Sequence, residues 1–462
     1  MAEPIRSPAL APRTRFLLWS LLYAAAMLYV STAVNLGGLA YRKLTFNEAV
    51  ARFLETHYWN NGSDQRADWT ANLLLALPLG FLIAGTLWPR KSRVLRLPAA
   101  VAALLISLAY VLAVKFVQVF FPRTVSINYI IAQSIGALIG VLLFGCLHAQ
   151  LARAYASLRQ GGRQGLIVLL AAASVAMFAY TLVPFDFVIS AQDVQDRLTA
   201  LPTMLFAVPG VGRAPIVRLA LLVGAMLPAA PMGTLLEICL PRRPLGLIAT
   251  AGLLLAVAWT VPVLFIMGAA PSLITIPART AGFVAGAWFV RWIMVQDLAR
   301  LRPLLRRGAV WAWPPYLLAL LAVNGLLKRH WRNLDQAMAA LVDPRHFIPL
   351  WTYYNISKAQ AVASLVVHVA MYLPIGVLIW ATGDDRTRHP LLAALAGLLL
   401  SAVVEAGRWF QPTLVPDINN LAVGALAAAF GTVLAPFLWR LLLEMTRERA
   451  AVPRRASLAR YL

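Results

Sequence analysis

The chain has 462 residues, of which 61% are apolar and only 13% are charged. Soluble domains are typically about 45–50% apolar and about 25% charged, so this composition excludes a soluble enzyme and a disordered regulator. The two cysteines, Cys146 and Cys239, are too few for a disulfide framework and stand at no metal-ligand spacing, so no metal site is expected. The formal net charge of +23 raises the question of nucleic acid, which the positions of the charges decide.

Apolar runs of about 18 residues or more can cross a bilayer, and such runs follow one another along the chain. The sequence predicts an all-α polytopic membrane protein with about twelve transmembrane helices. The predicted spans are residues 16–35, 71–88, 98–121, 129–148, 166–184, 216–239, 247–268, 273–295, 314–327, 361–381, 391–410 and 421–443. The first run follows a basic stretch, but its length favours an uncleaved span over a signal peptide.

Basic residues decide the orientation, because cytoplasmic loops hold an excess of Lys and Arg. With both termini in the cytoplasm, most arginines fall in inner loops, two of which are predicted at residues 149–165 and 296–313. The basic excess is therefore interpreted as a topology signal, and no nucleic-acid partner is expected. Arginine outnumbers lysine, as is typical of GC-rich bacterial genes, so we expect a multi-pass protein of the bacterial cytoplasmic (inner) membrane.

Recurring motifs divide the spans into three groups of four. The second span contains Pro78-x-Gly80 and the tenth contains Pro374-x-Gly376, and we interpret Pro228 in the sixth span as a worn copy. The last span of each group carries small residues four positions apart, which let two helix backbones approach closely in lipid. These small residues are Gly136 and Gly140, Gly282 and Gly286, and Ala427 and Gly431.

An amphipathic segment follows the first span of each group, and each is predicted to form a short helix on the outer membrane surface. These segments are residues 46–54, 191–198 and 334–341. The sequence therefore predicts three parallel four-helix units, related by an axis along the membrane normal. Their predicted limits are 1–150, 151–300 (the degenerate unit) and 301–446, with a basic cytoplasmic tail at 447–462.

The last two spans carry Glu405, Pro412 and Asp417 at a spacing that matches, position for position, a motif of the VanZ-like family. Arg408 and Asn420 replace a glutamine and an aspartate of that motif. The third unit thus resembles this family. The resemblance implies a link to glycopeptide sensitivity and to surface polysaccharide, and it implies no established reaction.

The first unit resembles the same family in part. Gln118, Pro122 and, after a one-residue gap, Arg123 keep three residues of the motif, whereas Lys115 replaces its glutamate. Asn72 keeps the asparagine of the family's second span, which the third unit replaces with a histidine. The middle unit resembles the family only weakly.

Ionisable residues inside a span cost roughly 2.5–3.5 kcal/mol each on insertion scales, so each is a candidate functional residue. They are Lys115, Arg279, Arg291, His368, Glu405 and Arg408. Arg291 lies near the inner end of its span and is interpreted as snorkelling into the headgroups. Glu405 and His368 lie at similar predicted depths and are expected to meet, and Glu405 is expected to pair with Arg408 on one helix face.

Two interpretations of these residues stay open, an ion pair that locks helices together and a ligand pocket. Such a pocket would open to the outer leaflet and receive an anionic headgroup, for instance the pyrophosphate of a lipid-linked sugar. The candidate ligand-binding residues are His368, Glu405, Arg408, Asp417, Asn420, Asn72, Lys115, Gln118 and Arg123.

These observations favour an envelope protein that binds membrane lipids, a lipid-linked envelope precursor or a glycopeptide from the outer leaflet, without a cofactor. One alternative is a transporter or flippase for such a lipid. Another is a scaffold that contacts polysaccharide-synthesis proteins. Glu405 and His368 lack an accompanying nucleophile or second carboxylate, so the sequence leans against an enzyme without excluding one that acts on a lipid carrier.

Overall fold

Helices form over most of the apolar sequence. The computed structural model describes residues 12–32, 41–58, 64–89, 92–122, 125–183, 186–188, 190–206, 222–241, 243–267, 271–296, 298–327, 331–341, 347–356, 358–383, 389–412, 414 and 416–451. The helices are α1 (Pro12–Thr32), α2 (Phe46–Leu54), α3 (Asp64–Leu87), α4 (Arg96–Gln118), α5 (Ile127–Gln160), α6 (Gly162–Thr181), α7 (Ala191–Leu205), α8 (Ala230–Cys239), α9 (Leu245–Val263), α10 (Thr275–Val295), α11 (Leu298–Val323), α12 (Leu334–Leu341), α13 (Trp351–Asn355), α14 (Lys358–Thr382), α15 (Pro390–Trp409) and α16 (Asn419–Ala451).

Ten helices of the described chain are long and apolar enough to cross a membrane, and they coincide with ten of the twelve predicted spans. The multi-pass character of the protein is therefore confirmed. The other two predicted spans correspond to α10 and α11, which are helical but carry more arginine, so the count of twelve stays a prediction. The ninth span was predicted at 314–327, whereas α11 already begins at Leu298 and ends at Val323.

The two basic inner loops predicted at 149–165 and 296–313 are wrong, because both stretches are largely helical. Helix α5 continues to Gln160 and α6 begins at Gly162, so Gly161 alone separates them, with a φ of 78°. Ala, Leu, Arg and Gln in this stretch are all good helix formers, and nothing in it stops the helix before the glycine. A helix of 34 residues is about 51 Å long and extends well beyond a hydrocarbon core of about 30 Å.

The three predicted amphipathic helices are confirmed as α2, α7 and α12. Thr45 and Glu48 form a capping box at the start of α2, and Ser190 and Asp193 form another at the start of α7. In the first box the Thr45 N–H donates to the Glu48 carboxylate at 2.7 Å and lowers the pKa of that carboxyl. Polar side chains thus fix where these short helices begin.

The segment before each amphipathic helix hydrogen-bonds to the end of the third span of its group. The backbone N–H groups of Arg42, Val188 and Arg332 donate to the carbonyls of Phe120, Phe265 and Phe410 at 2.8, 2.8 and 2.6 Å.

An arginine side chain reinforces this contact in each group. The Arg197 side chain, for example, donates to the carbonyls of Leu264 and Val263 at 3.0 and 2.9 Å. The side chains of Arg42 and Arg332 donate to Val119 and Trp409 in the same way. Burial lowers the pKa of Arg197. A cation at a helix C-terminus complements the helix dipole, so these arginines tie the amphipathic helices to the spans.

The second and fourth spans of each group touch through glycine. A Cβ atom on Gly80, Gly233 or Gly376 would collide with the backbone carbonyl of Ala137, Phe283 or Ala428 respectively. All three glycines end a Pro-x-Gly motif, and in the sixth span that motif is Pro231-x-Gly233. The interpretation of Pro228 as the copy is therefore wrong by three residues.

The small residues predicted for the fourth spans make the reciprocal contacts. A Cβ on Gly136 or Gly140 would collide with the carbonyls of Leu73 or Leu77 in α3. Gly282, Gly286 and Gly431 meet the carbonyls of Met226, Ala230 and Leu373 in the same way. Close backbone approach at small residues is how helices pack tightly in lipid.

The chain forms two compact units. The first comprises Met1–Ala152 with Pro344–Lys358, and the second comprises Arg153–Asp343 with Ala359–Leu462. The first division falls close to the predicted boundary at 150, whereas the predicted boundary at 300 lies inside the second compact unit. The helices of the middle and third groups share a core there, around Leu166, Ile238, Val290 and Leu441. The division into three units stays a prediction.

Candidate functional site

Helices α14, α15 and α16 bury a cluster of polar side chains near the end of α15. His368 comes from α14, Glu405 and Arg408 come from α15, and Asp417 and Asn420 flank the start of α16. His368 and Glu405 are 7% and 5% exposed, and Asp417 and Asn420 are buried too. All five belong to the second compact unit, and all five are candidate residues from the sequence. We call them, together with Tyr372, the third-unit polar cluster.

Glu405 is the centre of this cluster. Its Oε1 accepts hydrogen bonds from Arg408 Nη1 at 2.9 Å and from Asn420 Nδ2 at 2.8 Å, and its Oε2 accepts one from the Asp417 N–H at 2.9 Å. The predicted pairing of Glu405 with Arg408 is confirmed, as an ion pair three residues apart on one helix. The carboxylate therefore joins the end of α15 to the start of α16.

Asp417 stabilises the turn that begins α16. Its Oδ1 accepts hydrogen bonds from the Asn419 N–H at 2.9 Å and from Asn419 Nδ2 at 2.5 Å. Side-chain acceptors at a helix start satisfy backbone N–H groups that have no partner within the helix. Asp417 thus has a local structural role, whatever else it contacts.

His368 and Glu405 do not hydrogen-bond to each other, although the sequence predicts that they meet. The Nδ1 of His368 lies 2.7 Å from the Ser364 carbonyl oxygen, one helical turn earlier. Since a carbonyl only accepts, Nδ1 carries a proton, and Nε2 of the neutral ring is an acceptor. That Nε2 is buried and has no hydrogen-bond partner in the described structure.

Sequence analysis missed Tyr372, which lies one turn after His368 on the same face of α14. Its side chain is 0% exposed, and its hydroxyl has no hydrogen-bond partner among the described residues. The signal was present in the spacing, because the position four before each Pro-x-Gly glycine is Ala76 in α3, Ala229 before α8 and Tyr372 in α14. A tyrosine among buried alanines at one repeated position is an exception that needs an explanation.

Further polar atoms of this region are also buried without a hydrogen-bond partner in the described structure. They are Arg408 Nε, Asn420 Oδ1 and, just beyond α15, Gln411 Nε2. With His368 Nε2 and the Tyr372 hydroxyl, they form a mixed set of donors and acceptors. Among the described residues, His, Cys, Asp and Glu nowhere come together in threes to hold a metal ion. The cluster can therefore recognise polar groups by hydrogen bonds.

The first unit pairs most of its candidate residues internally. Asn72 Oδ1 accepts from Gln133 Nε2 at 2.7 Å, and Gln118 Nε2 donates to the Ser31 carbonyl at 2.8 Å. The Lys115 ammonium lies 5.6 Å from the ring centroid of Tyr129. Gln133 is a second residue that the candidate set omitted. Arg123 lies outside the described residues.

The middle group uses a different pair at the corresponding place. The Arg279 guanidinium donates to Thr260 Oγ1 at 3.0 Å and lies over the ring of Trp259, 5.3 Å from its centroid. Trp259 in turn donates its indole N–H to Thr181 Oγ1 at 2.8 Å. This site therefore contains one cation and no carboxylate among its contacts in the described structure.

Arg291 does not simply snorkel, which corrects the sequence interpretation. Its Nη2 lies 2.7 Å from Oε2 of Glu237, a buried carboxylate of the sixth span that the candidate set also omitted. The same guanidinium donates to the Arg243 carbonyl. An ion pair between two spans stabilises their packing here, because each charge is compensated.

The fold and these buried polar side chains define a polytopic helical membrane protein. A family model, VanZ/LLP1, matches residues 16–148, which run from α1 into α5. The predicted resemblance to the VanZ-like family is thereby confirmed for the first unit, and the chain is a VanZ-like multi-pass membrane protein. No curated protein and no solved structure matches the chain. The third-unit polar cluster lies outside the matched residues.

Proposed function

We propose that the chain is an envelope protein of the bacterial inner membrane that binds an amphiphilic or lipid-linked envelope component from the outer leaflet. The observation that carries this proposal is the set of unpaired polar atoms in the third-unit polar cluster. The link to glycopeptide sensitivity or surface polysaccharide rests on the VanZ-like resemblance alone.

Unpaired polar atoms are costly in a buried place. Each costs about 1–3 kcal/mol, and native structures pair the large majority of such atoms. Inside a membrane, no bulk water is at hand to replace a missing partner. His368 Nε2, the Tyr372 hydroxyl, Arg408 Nε and Asn420 Oδ1 stand together in this condition. A bound headgroup that supplies the missing hydrogen bonds accounts for all of them at once.

The chemistry of these atoms favours hydroxyl or amide groups over a phosphate. His368 Nε2 and Asn420 Oδ1 are acceptors and need a donor, which an ionised phosphate lacks. Glu405 already compensates the charge of Arg408, and Asp417 adds a second negative charge nearby. The ligand group that enters this cluster is therefore a sugar or a peptide, and the pyrophosphate expected from the sequence is disfavoured at this place.

Two other functions are outcomes of the test. A transporter or flippase needs polar groups across the bilayer, and the Arg291–Glu237 pair already uses two of them for packing. A scaffold for polysaccharide-synthesis proteins needs no ligand, so the unpaired atoms of the cluster would then have no role.

Replacing Tyr372 with phenylalanine tests the proposal. We expect Tyr372→Phe to lose the bound amphiphile while the protein keeps or gains thermal stability, because the change removes an unpaired buried hydroxyl and little volume. The measurement is native mass spectrometry of gently purified protein, combined with thermal unfolding in the same detergent.

Tyr316→Phe is the matched control, because Tyr316 packs against the same core as Tyr372. Its hydroxyl donates to the Met371 carbonyl at 2.6 Å, so its loss is expected to cost about 1 kcal/mol of stability and to leave the amphiphile bound. If wild type and both variants carry the same ordinary phospholipids, the binding proposal is wrong and the scaffold is favoured.

A further inference from the structure

A second polar cavity lies at the opposite end of the spans, where α5 gives way to α6. It has a volume of about 440 Å³ and lies in the second compact unit. Its lining comes from the last turns of α5, from Gly161 and from α16. The lining residues are Tyr155, Leu158, Arg159, Gly161, Phe437, Arg440, Leu441 and Glu444. The positive-inside rule predicts that this end faces the cytoplasm.

Glu444 fixes the shape of this cavity. Its Oε2 accepts a hydrogen bond from the Gly162 N–H at 2.5 Å and so caps the start of α6. Gly161 has a φ of 78°, and a Cβ there would collide with the same carboxylate. The backbone of the α5–α6 turn is thus held against α16. The positive end of α6 is already used by Glu444, so it is not the feature that attracts a ligand.

Two arginines give the cavity its charge. The Arg159 guanidinium lies 5.9 Å from the ring centroid of Tyr155, and Arg440 is exposed on α16. In the described structure, neither arginine makes an ion pair with a carboxylate. Glu444 offsets one of the two positive charges, so the cavity keeps a net positive charge beside apolar walls.

The walls have the composition expected at a lipid headgroup. Leu158, Phe437 and Leu441 supply apolar surface next to the arginines. Basic pockets between membrane helices on the cytoplasmic side are suited to anionic lipid headgroups, because the phosphate pairs with arginine while the acyl chains stay against apolar side chains. A soluble phosphate would leave this apolar surface uncovered.

We propose that this cavity binds the phosphate of an acidic phospholipid of the inner leaflet, held by Arg159 and Arg440. The inference does not depend on the proposed outer-leaflet ligand, since the two sites share no residue. The lipid would brace the α5–α6 turn against α16.

The test compares lipid binding by two double variants of the full chain. Wild type in detergent is titrated with cardiolipin and, separately, with phosphatidylcholine, and binding is followed by native mass spectrometry. We expect Arg159→Gln/Arg440→Gln to bind cardiolipin about 30-fold more weakly, since each basic residue near a lipid phosphate contributes about a factor of five. Arg302→Gln/Arg307→Gln removes two exposed arginines of α11 outside the cavity and is expected to change binding less than about threefold.

Three results would overturn the proposal. Equal loss of binding in both double variants would show general attraction to basic residues, and equal binding of phosphatidylcholine would show that the phosphate charge is not read. Inorganic phosphate that raises the melting temperature as much as cardiolipin does would identify a free anion as the ligand. A melting curve for each variant without lipid establishes that it is folded.

Discussion

Gly376→Ala is expected to destabilise the second compact unit by about 3 kcal/mol, a large effect for one methyl group. A Cβ at this position would meet the Ala428 carbonyl oxygen, the Thr432 nitrogen and the Gly431 carbonyl carbon, which are all backbone atoms and have little freedom to move. Overpacking typically costs about 1–3 kcal/mol, and the upper end is expected where backbone must shift. The measurement is thermal or denaturant unfolding of purified protein.

Gly308→Ala is the matched control for this change. Gly308 lies inside α11, and a Cβ there meets no atom within 4 Å. Alanine is a better helix former than glycine by about 0.8–1 kcal/mol, so this variant should be slightly more stable than wild type. If both glycine variants shift stability equally, the contact between α14 and α16 is looser than described.

Glu405→Leu is expected to cost about 3–5 kcal/mol of stability. The change removes the acceptor for Arg408, for Asn420 and for the Asp417 N–H, and it leaves a guanidinium charge without its counter-ion. Removing one partner of a buried ion pair is costly for this reason. The free energy of unfolding of the variant, compared with that of wild type, measures the loss.

The double variant Glu405→Leu/Arg408→Leu gives the control. Since it removes both charges, it should recover part of the stability, and the double-mutant cycle gives the coupling energy of the pair. A Glu405→Leu variant that unfolds like wild type would mean that the carboxylate is not a structural centre. Because a loss at Glu405 mixes stability with binding, Tyr372→Phe is the cleaner probe of a ligand.

The sequence predicted the larger elements well because their signals are long. Runs of about 20 apolar residues and three amphipathic segments were placed correctly, and two of those segments, α2 and α12, have the predicted limits. Three errors concern short-range features. The break between α5 and α6 is one glycine wide, and the proline of the sixth-span motif is Pro231, three residues after the first candidate.

The polar cluster was predictable in its members but not in its pairing. Glu405 and Arg408 stand three apart on one helix, so their contact follows from helix geometry. Whether His368 bonds to Glu405 or to the carbonyl one turn earlier depends on how α14 is rotated against α15, which no local pattern sets. Arg291 was misread for a similar reason, since its partner Glu237 comes from another span.

The face of α14 that carries His368 and Tyr372 also carries Gly376, each four residues after the last. The glycine presses this face against α16, so neither polar side chain can turn away without parting two backbones. The unpaired atoms are therefore preorganised, and a ligand that fits them has little ordering entropy to overcome on arrival. Binding at such a rigid receptor should discriminate sharply between headgroups that differ by one hydroxyl, because an analogue lacking it leaves the same buried atom unmatched.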